Sequence, residues 1–76
     1  MSQLKKISGF ECMKMLCNKF NFTFIRQTGS HMILKKETAQ GTIGTVVPNH
    51  QELKLGTLKG VLKLAKVKEE DFARYQ

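Results

Sequence analysis

The sequence predicts an α+β domain of order α-β-β-β-α, a three-stranded antiparallel sheet with two helices on one face. Three observations lead there. Apolar residues recur at helical spacing up to Phe20, then at a period of two from Phe22 to Val47. Gly29 and Gly41 punctuate the strand-like stretch, and Pro48 ends it. Helical spacing returns at Leu58, Val61, Leu62 and Ala65, leaving each element one apolar side to cover.

Ser8-Gly9-Phe10-Glu11 has the form of a capping box, so the first helix should run over about residues 8–20. Phe10, Met13, Leu16, Cys17 and Phe20 form its expected apolar stripe. Asn21 stands where a helix end needs a left-handed residue. Residues 22–27 and 31–36 read as an antiparallel hairpin around Thr28-Gly29-Ser30, with Gly29 supplying a positive φ. Residues 37–41 read as a polar loop and 42–47 as the third strand, which proline ends because it cannot donate to a ladder. After a connector, Gly56-Thr57 opens a second helix that reaches about Val67. Residues 69–75 suggest one last helical turn.

The 76 residues make one domain, 1–76, and only a thin core. Any catalysis should therefore take place on an open face or in a shallow groove. The net charge is +7 and unevenly spread. Residues 1–68 hold 12 basic groups against Glu11, Glu37 and Glu52, a local excess of +9. Such a field favours polyanionic partners, nucleic acid first. No apolar run approaches the length of a membrane span or a signal peptide, so no membrane partner is expected. Cys12 and Cys17, five apart and without further Cys, fit structural thiols in a reducing cytoplasm.

The inventory of reactive groups is short. There is no nucleophile elbow, no phosphate-binding Gly-rich loop, and six acidic residues show no metal-like cluster. No metal and no cofactor is expected. Two histidines remain. His31 follows the glycine turn at the mouth of the hairpin, and an imidazole is suited to proton transfer near neutral pH. RNA carries its own nucleophile, the 2′-hydroxyl, so a base and a positioned phosphate would suffice for cleavage. His50, in the connector after Pro48, reads as a partner acid, a phosphate contact or a plain loop residue. Arg26 and Lys35 on the strands, with Lys54, Lys59 and Lys63 towards the second helix, are candidate phosphate contacts.

At these residues the sequence resembles the HicA toxin family, also called YcfA-like proteins. One matching segment is Phe22 to Ile33, with Arg26-x-x-Gly29-Ser30-His31 on the hairpin. The other is Val47-Pro48-x-His50 followed by Leu53-Lys54-x-Gly56-Thr57-Leu58. The resemblance spans about residues 7–72 and departs at Lys66, where relatives often carry Gly. It implies a fold like a double-stranded-RNA-binding domain, endonucleolytic cleavage of messenger RNA, and a cognate HicB-type antitoxin. It also implies that His31 is catalytic, presented by a turn that Gly29 and Ser30 shape. The alternative is a module that binds duplex RNA by shape without cutting it. A DNA-binding domain is disfavoured because no helix-turn-helix is recognisable.

Overall fold

A computed structural model describes residues 4–76. The elements are α1 (Gly9–Lys19), β1 (Thr23–Thr28), β2 (His31–Thr38), β3 (Gly41–Pro48), α2 (Leu55–Ala65) and α3 (Glu69–Ala73). The three strands form one antiparallel sheet in the order β1-β2-β3. The fold is the expected α+β arrangement, a sheet covered on one face by helices, and the last helical turn expected within residues 69–75 is α3.

Local chemistry explains each boundary. The Ser8 hydroxyl accepts the Glu11 N–H at 3.0 Å and so caps α1. Asn21 adopts φ 64° after the helix ends. The hairpin between β1 and β2 turns on two residues, Gly29 and Ser30, and only Gly29 has a positive φ, 59°. That is the pattern of a II′ turn, whose twist matches the flanking strands. The second hairpin is tighter than the expected loop at 37–41. Pairing continues to Thr38↔Gly41, leaving Ala39 and Gln40 as the turn. The Thr38 hydroxyl donates to the Gly41 carbonyl and accepts the Gln40 N–H, which closes that turn.

The sheet's alternation decides what is buried. Met32 and Leu34 of β2, with Thr45 and Val47 of β3, point at the helices and are almost fully buried. Cys12 and Leu16 of α1 and Leu58, Val61, Leu62 and Ala65 of α2 meet them. The one buried polar side chain among the described residues, Thr45, donates to the Val61 carbonyl at 2.9 Å, tying β3 to α2. The buried stripe of α1 is centred on Cys12 and Leu16 rather than on Phe10, which is 52% exposed beneath the Lys14 ammonium. Phe72 of α3 joins the core at the other end of α1. It is fully buried and stacked on Phe20 at 6.1 Å, so the last helical turn is part of the core.

Two irregularities position the rest. β1 carries a bulge between Phe24 and Arg26, so Ile25 has no partner of its own and the alternation resumes one residue out of phase. α2 ends in a Schellman arrangement, in which Val67 N–H bonds the Leu62 carbonyl and Lys66 N–H the Lys63 carbonyl. The left-handed residue at its centre is Lys66, at φ 57° and ψ 38°.

Candidate functional site

The sheet face turned away from the helices holds the predicted histidine. His31 is the first residue of β2, exposed, and paired with Thr28 on one side and Pro48 on the other. Ile33 and Lys35 share its face by alternation. Opposite Ile33 stand Arg26 on β1 and Val46 on β3. Arg26 is thus the diagonal neighbour of His31, a spacing of about 7–8 Å between Cα atoms that a long side chain spans. The bulge produces this, because an unbroken β1 would set Ile25 opposite Ile33 and turn Arg26 to the core side. Lys35 is held to the Glu37 carboxylate at 3.6 Å, and the Thr42 hydroxyl donates to the other oxygen of that carboxylate. The face is open, with an apolar centre of Ile33 and Val46 flanked by His31, Arg26 and Lys35.

A set of hydrogen bonds fixes the turn that presents His31. The Gln27 side-chain amide donates to the Gly29 carbonyl at 2.8 Å. Asn49 donates its backbone N–H to the Ser30 carbonyl at 2.6 Å and its side-chain amide to Gln27 Oε1 at 3.4 Å. The connector is held from behind as well, since Gly9 N–H donates to the His50 carbonyl at 2.9 Å. Gly9 cannot be replaced cheaply, because a Cβ there would collide with the Pro48 carbonyl oxygen. His50 therefore lies at the same end of the molecule as His31, exposed, and anchored through its backbone.

The lysines divide between two layers. Lys59 and Lys63 are exposed on α2, in the helical layer, and with Lys68, Glu69 and Glu70 they line a shallow groove of about 550 Å³ floored by Leu62 and Val67. They do not join His31, Arg26 and Lys35 on the sheet. Lys54 is exposed at the N-cap of α2. Gly29 and Ser30 form the turn itself.

The thiols belong to the packing. Cys12 is fully buried, and burial pushes its pKa up to about 12. Burial also raises Cys17, against a smaller lowering by a hydrogen bond from the Phe24 backbone. Among the described residues no group of three His, Cys, Asp or Glu could hold a metal ion, and no helix is long and apolar enough to cross a membrane.

Sequence reasoning missed Gln27 and Asn49. They are 22 positions apart and meet only because β3 returns past the turn, so no local signal marks them. The family described as HicA toxin of bacterial toxin–antitoxin systems matches residues 10–67, which include the whole sheet, His31 and α2. No curated protein and no solved structure matches the chain.

Proposed function

The chain belongs to the HicA toxin family of bacterial toxin–antitoxin systems, and on that premise we propose that it is a metal-independent endoribonuclease that cleaves messenger RNA in the cytoplasm and so stops translation. The observation that carries this reading is an exposed imidazole, His31, beside a guanidinium, Arg26, on an open cationic sheet face. An RNA strand lying on that face would bring a 2′-hydroxyl to the imidazole. His31 takes the hydroxyl proton, the 2′-oxygen attacks the adjacent phosphorus, and the bond to the 5′-oxygen breaks. The leaving 5′-oxygen takes up a proton, from the imidazolium or from water. Arg26 offsets the charge that grows on the phosphoryl oxygens, where a fixed cation counts most. Ile33 and Val46 give the strand an apolar floor, and Lys35 is placed for a neighbouring phosphate.

The same face suits the antitoxin. A HicB-type protein that neutralises this chain would present Asp and Glu to Arg26, Lys35 and the basic excess around them. Its association rate should fall as salt rises, and a rate indifferent to ionic strength would contradict a charged contact.

Purified protein incubated with labelled RNA in EDTA, beside His31→Ala, tests the catalytic reading. Cleavage should survive EDTA and fall by about 10²–10⁴-fold in the variant. Near-wild-type cutting by His31→Ala would remove His31 from the chemistry. Binding of RNA by the wild type without any cleavage would leave the duplex-binding module as the reading instead.

A further inference from the structure

We propose that Gln27 and Asn49 are positioning residues for His31, forming a two-amide clamp that sets where the imidazole stands; this rests on the catalytic reading of His31. Among the described residues the imidazole has no hydrogen-bond partner of its own, so its position is inherited from the backbone that carries it. That backbone is the turn, and the clamp closes on both of its carbonyls. Gln27 holds Gly29 O at 2.8 Å, and Asn49 N–H holds Ser30 O at 2.6 Å, the oxygen of the peptide unit leading into His31. The 3.4 Å bond from the Asn49 amide to Gln27 Oε1 joins the two halves. Each amide uses its oxygen or nitrogen in one direction, so the relay runs Asn49 to Gln27 to Gly29. The connector that carries Asn49 is itself fixed by Gly9, whose close approach to Pro48 leaves no room for a Cβ.

Such a clamp matters to a general base more than to a binding surface. A phosphate contact tolerates movement of a long side chain, whereas proton transfer needs the base within hydrogen-bond reach of one hydroxyl. Displacement by about 1 Å can cost as much as 10²-fold in rate. Loosening the turn should therefore act on kcat and leave RNA affinity unchanged.

The experiment measures cleavage by Gln27→Ala, Asn49→Ala and the double variant, RNA affinity in each with His31→Ala added, and amide exchange at Asn49. We expect kcat to fall by about 10–100-fold in each single variant, with KM and affinity unchanged within about twofold. The double variant should fall no further than the worse single one, because both break one relay. The Asn49 amide should lose exchange protection in Gln27→Ala. Unchanged kcat in both single variants, with His31→Ala inactive, overturns the clamp alone. A parallel loss of affinity overturns it too, by making Gln27 or Asn49 an RNA contact. Should His31→Ala keep cutting, the catalytic reading fails, and retained protection of the Asn49 amide would then overturn the clamp separately. If Gln27→Ala does not fold, Asn49→Ala, which removes one side-chain bond, decides by the same measures.

Discussion

RNA binding by the non-cleaving His31→Ala protein should distinguish the two cationic layers when salt is raised. Every phosphate neutralised on single-stranded RNA releases condensed counterions, contributing about 0.7 to the fall of log K with log[salt]. The sheet face offers two cations beside His31, Arg26 and Lys35, so a strand held there should give a slope near −1.4. A strand that also gripped Lys54, Lys59 and Lys63 would give about −3.5. The gap is wide enough to measure. A fourfold rise in salt, from about 50 to about 200 mM, weakens the first by roughly 7-fold and the second by roughly 130-fold. We expect the smaller figure, since Lys59 and Lys63 lie in the helical layer, away from the histidine's face. Arg26→Ala should make the slope shallower by about 0.7, and Lys59→Ala should not change it. Fluorescence anisotropy of a labelled strand across the salt series is sufficient. A steep wild-type slope that flattens with Lys59→Ala and ignores Arg26→Ala would refute the assignment of the sheet as the RNA face.

Other expectations follow from particular residues. Glu37→Gln should tighten RNA binding, because it releases Lys35 from a carboxylate on the same face; equal affinity in both proteins would show that pair to be inert. Lys66→Gly should raise stability by about 1 kcal/mol, the cost of a left-handed non-glycine residue, and Tm by about 4–8 °C for a domain of this size. Thermal denaturation reads it, and an unchanged or lowered Tm counts against strain at Lys66. Phe72→Ala should cost about 3–5 kcal/mol, a large share of a small domain's stability, as read from urea unfolding. Cys12 should resist alkylation in the native protein and react only on unfolding. Its folded pKa is raised to about 12 from an ordinary value of 9.0, so the unfolded chain loses the proton first. Stability should therefore fall as pH rises from near 9 towards 12, and Cys12→Ala should lessen that fall.

How much of this was legible in the residues depends on the range of the interaction. Asn21 and Gly29 could be read as left-handed positions because the requirement is local to one residue. The strand order followed from the period of two together with the short turns that join consecutive strands. Phe10 misled because helical spacing allows two neighbouring stripes on α1, and only the packing of β3 against Gly9 selects the one through Cys12. Phe72 was hidden in an acidic stretch too short to show periodicity, though its burial closes the core. The lysines of α2 were legible as one face of a helix, but not as belonging to the layer behind the histidine. Which residues share a surface across layers is a tertiary fact, and the same holds for Gln27 and Asn49.

The bulge at Ile25 has a bearing on self-association. β1 is an edge strand, and an edge with a regular row of free N–H and C=O groups is a template on which another chain can add a strand. Here the row is interrupted halfway by Ile25, a residue without a cross-strand partner, and Ile25 and the preceding Phe24 are both exposed apolar side chains. An incoming strand could stay in register with Thr23 and Phe24, or with Arg26 to Thr28, but not with both. The extra residue that turns Arg26 to the open face thus also breaks the continuity that fibrils need, and it does so along the strand whose apolar surface would otherwise invite them.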